Sequence, residues 1–150
     1  MDENLLVLGW REWVSLPELG LPLVKAKIDT GARTSCLHAF TVEEFTVDDK
    51  KWVRFGIHPH QDNTETEVFC EAAVVDERIV SDSGGHKESR YVISTEITLA
   101  NQRWPIEITL TNRDNMRFRM LLGRTAMEHK ITVNPGESFL LGKPTTKSKG

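Results

Sequence analysis

An all-β domain with one short helix near the C-terminus is the fold class that the sequence predicts. Three observations carry this expectation. Apolar and polar residues alternate with period 2 along most of the chain, and sustained helical periodicity is almost absent. Turn-forming residues separate the alternating runs at short intervals. The 150 residues are 39% hydrophobic and 27% charged, enough apolar material for the core of one ordinary domain. Many short strands with regular turns mean a barrel or a sandwich rather than βαβ units.

In chain order, the first strand candidate is Leu5–Val14, closed by a turn at Pro17. Val24, Ala26 and Ile28 then share one face of a strand, with Lys25 and Lys27 on the other. Glu44–Val47 and Trp52–Ile57 flank Asp48-Asp49, a turn pair. Glu67–Val75 follows a second turn at Asp62-Asn63. Tyr91–Ser94 leads into Ile97 and Leu99, which alternate with Glu96 and Thr98, and Ile106, Ile108 and Leu110 alternate with Glu107, Thr109 and Thr111. Between these last two runs, Ala100–Arg103 reads as a hairpin turn in which Asn101 tolerates a positive φ. The helix is expected after Gly123, over Arg124 to His129. Ile131–Val133 and Ser138–Leu141 are the last strand candidates, separated by Asn134-Pro135-Gly136. Lys143–Gly150 is polar and basic and reads as a frayed tail. No repeat and no linker divides the chain, so one domain is expected over 1–150.

Bulk composition excludes several classes. With 19 basic and 22 acidic residues, the net charge is -3, which is no footprint for nucleic acid. Cys36 and Cys70 are the only cysteines and lack C-x-x-C spacing, so free thiols in a reducing compartment are the default. The first ten residues lack a basic region and a long apolar stretch, so no signal peptide is expected. No apolar run approaches the roughly 20 residues of a spanning helix. A cytoplasmic protein with no membrane partner is the resulting expectation.

The chemistry centres on Asp29-Thr30-Gly31-Ala32, after an alternating strand and before Arg33-Thr34-Ser35-Cys36-Leu37. A carboxylate at a strand end on a tight turn is rigidly held yet exposed. The Thr30 hydroxyl can fix such a turn through backbone hydrogen bonds, and Gly31 allows close backbone approach. Alone, the tripeptide could equally be a plain turn. Further along, Met120-Leu121-Leu122-Gly123-Arg124 joins an apolar strand, a glycine and an arginine to the helical turn. Between the two lies Ile79–Gly85, a hairpin-like stretch tipped by Gly84-Gly85, and then two long strands.

Taken in this order, the three features resemble retropepsins, the single-lobe aspartic peptidases of retroviral type, over roughly residues 22 to 142. The stretches 26–35, 104–113 and 118–124 resemble more closely a bacterial relative. This is the RimB-like family, also labelled ATP-dependent zinc proteases and found with RimK-type ATP-grasp glutamate ligases. The resemblance implies a closed, barrel-like acid-protease fold. It implies an aspartic peptidase in which Asp29, Thr30 and Gly31 form the catalytic motif. Ala32, Arg33, Gly84 and Gly85 would contact substrate, and Leu122, Gly123 and Arg124 would support the site. In such enzymes two aspartates about 3 Å apart share one proton, because like charges that close cannot both ionise. One carboxylate is the base on a bound water and the other the acid. This chain has one Asp-Thr-Gly, so a C2 homodimer would supply the second Asp29. The stretch Ser81–Lys87 would be the flap that closes over substrate, or else an ordinary exposed hairpin.

Retroviral enzymes usually carry an acidic residue where this chain has Arg33. If it faces the cleft, its guanidinium matches a substrate carboxylate, pointing to acidic or polyglutamate peptides. The alternative is that Arg33 pairs within the fold. The substrate would then be a peptide or a polyglutamylated protein made by the ligase, itself a possible partner. The competing reading is a non-catalytic module that binds the ligase or its ribosomal target. No H-E-x-x-H helix supports the zinc label. His58-Pro59-His60 with Asp62 is a weak metal candidate against a default of surface histidines, and no metal or other cofactor is expected. His38 and His129 read as structural, His86 as a possible flap contact. Cys36 reads as a packed residue with no histidine placed to activate it. No phosphate loop is present, so ATP belongs to a partner enzyme.

Overall fold

The computed structural model describes residues 5–59, 66–81, 84–111, 118–128 and 130–142. The expected tail, the turn at Asp62-Asn63, His60 and His129 lie outside the described residues. Eleven strands and one short helix make up the described chain: β1 (Leu6–Leu8), β2 (Arg11–Leu16), β3 (Leu21–Ile28), β4 (Ser35–His38), β5 (Thr41–Val47), β6 (Lys50–Ile57), β7 (Val68–Ser81), β8 (Lys87–Leu99), β9 (Gln102–Thr111), β10 (Met120–Leu122), α1 (Arg124–Met127) and β11 (Ile131–Val133). A 3-10 turn at Pro17–Leu19 separates β2 from β3.

Nine strands form one sheet in the order β2-β3-β10-β4-β9-β8-β7-β6-β5, and β1 pairs separately with β11. The sheet curls into a ring because β2 also meets β8, at Ser15 and Thr98. Strands β5, β6 and the start of β7 extend beyond that ring. The period-2 pattern explains which faces turn inward. Val24, Ala26 and Ile28 of β3 are buried, while Lys27 is exposed. Ile97 and Leu99 of β8 and Trp104, Ile106, Ile108 and Leu110 of β9 join the same core cluster. Thr109 and Thr111 break the alternation and are also buried, because this half of β9 lies between β4 and β8. Thr109 meets the desolvation by donating to the Ser35 carbonyl at 3.1 Å.

The decisive topological feature is β10. It runs parallel to β3 and antiparallel to β4, filling the gap between two strands that are consecutive in the chain. The turn from β3 to β4, residues 29–34, therefore arches over the end of β10.

Several sequence expectations are corrected here. Leu5–Val14 is two strands, because the chain turns at Gly9-Trp10. Ser138–Leu141 is not a strand. Phe139 sits at φ 55, its ring stacked on Trp13 with the Arg11 guanidinium 4.9 Å away. The buried Glu12 carboxylate caps this segment through the amides of Leu140 and Leu141 at 2.8 and 3.2 Å. In the β8–β9 hairpin the positive φ belongs to Ala100, at 55°, not to Asn101, as in a type II′ turn, whose first loop residue alone is left-handed. The Asp48-Asp49 turn does take positive φ, at 52° and 67°, as a type I′ two-residue hairpin turn demands.

Candidate active site

Asp29 begins the arch. Its amide donates to the Leu122 carbonyl at 2.9 Å, tying the end of β3 to the end of β10. Its half-buried carboxylate accepts the Gly31 amide on Oδ1 at 3.0 Å. The carboxylate makes no other hydrogen bond among the described residues, so one oxygen is left for a ligand. The Thr30 hydroxyl is exposed and makes no hydrogen bond among the described residues, contrary to the expectation that it fixes the turn. That role falls to Asp29 Oδ1, to the Ala32 amide on the Asp29 carbonyl at 3.2 Å, and to the Arg124 guanidinium, 3.3 Å from the Thr30 carbonyl.

The second motif is the seat on which this turn rests. The Arg124 and Thr125 amides donate to the Ala32 and Arg33 carbonyls at 2.7 and 2.9 Å. The Gly123 amide donates to the buried Ser35 hydroxyl at 3.0 Å. A Cβ on Gly123 would lie 2.5 Å from the Thr34 carbonyl carbon and 2.8 Å from the Ser35 nitrogen. Glycine is required here for close backbone approach, since its extended φ of -91° suits any residue.

Arg33 is exposed and has no ion-pair partner among the described residues. It lines a cavity of about 270 Å³ beside the arch, together with Arg78, Ser94, Glu107 and Thr125. Arg78, on the β7 arm, is engaged with Asp76 Oδ2 at 2.9 Å and Glu107 Oε1 at 2.8 Å. These bonds, with Glu107 first, raise the Arg78 pKa further. The same guanidinium, helped by the Glu77 amide, holds the Asp76 carboxyl below the usual carboxylate range. Of the two arginines lining the cavity, Arg78 is engaged and Arg33 has no charge partner among the described residues.

The β7–β8 hairpin pairs down to Ser81 and Lys87. Gly84 and Gly85 are exposed beyond it, Gly85 at φ 85, a left-handed conformation that glycine adopts without strain. His86 is exposed at this tip. Asp82 and Ser83 lie outside the described residues.

Two histidine expectations change. His58 is not a surface residue but buried, its ring stacked 4.2 Å from that of Phe40 and its Nε2 3.8 Å from Glu67. Pro59 is likewise buried, so the segment packs inward. Cys36, expected to lack a neighbouring histidine, has His38 Nε2 4.0 Å from its sulfur and donation from Arg90 Nη1 at 3.6 Å. The i, i+2 spacing on a strand could have signalled this, had 35–38 read as a strand. Cys36 and His38 are both buried. Among the described residues no group of three or more His, Cys, Asp or Glu is placed to hold a metal ion, and no helix is long and apolar enough to cross a membrane.

The profile of the RimB-like family, described as "Retropepsin-like aspartic endopeptidase RimB", matches residues 7–144. A Shewanella pealeana protein named "Probable alpha-L-glutamate ligase" is 46% identical over 143 residues, covering 95% of this chain and 31% of that protein. A protein of the same name from Desulfotalea psychrophila is 44% identical over 144 residues, covering 96% and 31%. The chain thus spans about a third of the length of these relatives. A crystal structure of a Legionella pneumophila protein of unknown function superposes with a TM-score of 0.75 at 26% identity, covering 91% of this chain and 98% of that one. The ring-like sheet, the arch of Asp29 over β10 and the match over nearly the whole chain lead to one conclusion: this chain belongs to the RimB-like family of retropepsin-like aspartic endopeptidases.

Proposed function

We propose that this chain is an aspartic peptidase that hydrolyses peptides or glutamate tails made by an ATP-grasp glutamate ligase. The observation that carries the reading is Asp29. Its carboxylate is half-buried on an arch pinned by β10, with Oδ1 fixed by the Gly31 amide. A group so positioned is preorganised for water activation and has little freedom left to lose. In this reading two copies meet about a two-fold axis and the paired Asp29 carboxylates share one proton. One removes a proton from water as it attacks the scissile carbonyl, and the other donates to the carbonyl oxygen. The β7–β8 hairpin closes over the substrate and excludes water. Arg33, beside the arch and without an ion-pair partner among the described residues, receives an acidic side chain of the substrate. The glutamate-ligase name carried by the longer relatives supports a polyglutamyl substrate.

The test compares polyglutamyl and neutral peptides of equal length, with and without chelator, for the unaltered chain and for Asp29→Asn. Cleavage lost in Asp29→Asn and indifferent to chelator is the expected result. Arg33→Ala should raise KM for the glutamyl peptide while leaving thermal stability unchanged. Full cleavage by Asp29→Asn, or a strict monomer under substrate that still cleaves, would overturn the mechanism.

A second reading is favoured by the relatives in which this region is 31% of a longer chain named for ligation. There the domain binds and regulates the ligase, or its ribosomal target, without cleaving. Absence of cleavage together with a measurable effect on glutamate ligation would select it.

A further inference from the structure

The three-stranded extension β5–β6–β7 lies outside the ring, and β5 is its last strand. Among the described residues nothing pairs with the outer edge of β5. The strand is seven residues long, regular in register along its whole pairing with β6, and free of proline. Such an edge presents a row of unused backbone donors and acceptors to any extended chain.

The side chains beside this edge have a definite character. Val53 and Phe55 of β6 point into the core, so the alternate residues face solvent. On that outer face the register aligns Glu43 with Arg54 and Arg54 with Glu71, and next to them Phe45 with Trp52 and Trp52 with Ala73. Phe45 and Trp52 lie 6.2 Å apart, ring to ring. Glu43, Glu44, Phe45, Arg54 and Glu71 line an open groove of about 540 Å³. The Arg54 guanidinium rests 4.7 Å above the Phe69 ring. Glu43 and Glu71 have no ion-pair partner among the described residues. Glu44 is held by the Tyr91 hydroxyl at 2.7 Å and by Lys51. The groove therefore offers two uncommitted carboxylates and an aromatic floor alongside an open strand edge.

We infer that this edge is a docking site for an extended, basic segment of another protein, which adds to β5 as a further strand. Backbone hydrogen bonds to β5 would supply affinity, and side chains on alternate positions would supply selectivity. A lysine or arginine opposite Glu43 pairs with that carboxylate, which stands between it and Arg54. The residue two positions along the added strand falls opposite Phe45 on the same face, where an apolar side chain covers the Phe45–Trp52 pair. A second copy is the poorer occupant, because it would bring the same acidic edge against its own kind.

The probe is a fluorescent heptapeptide alternating lysine with valine and threonine. It is offered to the full chain in the Asp29→Asn background, so that cleavage cannot interfere and the candidate active site is disabled. Anisotropy should show saturable binding that weakens roughly tenfold between about 50 mM and about 500 mM salt. Backbone amide shifts should concentrate on residues 41–47. The variant Glu43→Gln should weaken binding by roughly threefold. Its thermal unfolding should be unchanged, since Glu43 is exposed and a neutral glutamine sets no like charge beside Arg54. The same peptide N-methylated at alternate amides should bind no more than weakly, which tests the edge without altering the protein. Four outcomes would overturn the inference. They are equal binding of a glutamate–valine peptide, shifts mapping away from β5, peptide-sensitive dimerisation through β5, and tighter binding by a chain ending at Gly142, which would make residues 143–150 the native occupant.

Discussion

Replacing Gly123 by alanine adds one methyl group where the turn bearing Asp29 sits on β10. The new Cβ would lie 2.5 Å from the Thr34 carbonyl carbon, 2.8 Å from its oxygen and 2.8 Å from the Ser35 nitrogen. All three are backbone atoms, so no rotamer change relieves the clash. The backbone angles, φ -91° and ψ 174°, are ordinary for alanine. The penalty is therefore steric and not conformational. Overpacking of this kind costs about 1–3 kcal/mol. Displacing the chain also stretches the bond from the Gly123 amide to the buried Ser35 hydroxyl, worth about 1 kcal/mol. Against this, alanine stiffens the unfolded chain and returns about 0.4–1 kcal/mol. The net expectation is a loss of about 2 kcal/mol, or about 4–8 °C in Tm for a chain of this size. Urea and thermal unfolding measure it directly. Gly31→Ala is the control within the same turn, because its Cβ would meet only the Asp29 Oδ1 atom, at 3.3 Å. An alanine variant at 123 as stable as the parent would refute the view that backbone proximity dictates this glycine.

Glu12→Gln replaces a fully buried carboxylate that accepts the amides of Gly9, Leu140 and Leu141. Its NH₂ group must then face one of those donors, so a loss of about 2–3 kcal/mol is expected, with faster amide exchange at 140 and 141. Unchanged exchange there would show that Phe139 stacking alone holds the segment. Burial pushes the Cys70 thiol from 9.0 up to about 12. The folded state thus favours the protonated thiol, and the associated stability is complete below pH 9 and declines as pH rises from about 9 toward 12. Urea midpoints at about pH 8 and about pH 10.5 should fall less in Cys70→Ala than in the parent, and equal falls would count against the assignment. In the native protein at neutral pH, mass spectrometry should find Cys70 unmodified by iodoacetamide, whereas labelling as fast as in urea would contradict its burial.

Much of the strand pattern was legible because alternation is a local property. Val24, Ala26 and Ile28 must share a face of any strand they form, whatever covers it. Ile131–Val133 read correctly for the same reason, while the helix was marked by the preceding Gly123 and starts at Arg124 as expected but ends at Met127. Ser35–His38 did not, since all four of its residues are buried and a strand covered on both faces shows no alternation. Ser138–Leu141 misled in the opposite sense. Its apolar residues suggest pairing, but the buried Glu12 carboxylate, more than a hundred residues earlier in the chain, takes its amides. The left-handed residue of the β8–β9 hairpin also escaped the sequence, because the turn type puts its positive φ on the first loop residue, Ala100, and not on the residue type that tolerates it best.

The sequence by itself determined that Asp29 ends a strand on a tight turn, that a glycine and an arginine follow an apolar strand some ninety residues later, and that these belong to one family pattern. Only the tertiary structure decided how they meet. It inserts β10 between β3 and β4, so that Gly123 lies under Thr34 and Arg124 reaches the Thr30 carbonyl. Among the described residues it leaves Arg33 without a partner while Arg78 is engaged, and it leaves the outer edge of β5 unpaired. Local periodicity records which residues are apolar together. Strand order and close backbone approach depend on how distant segments fill the same space, and no local pattern carries that information.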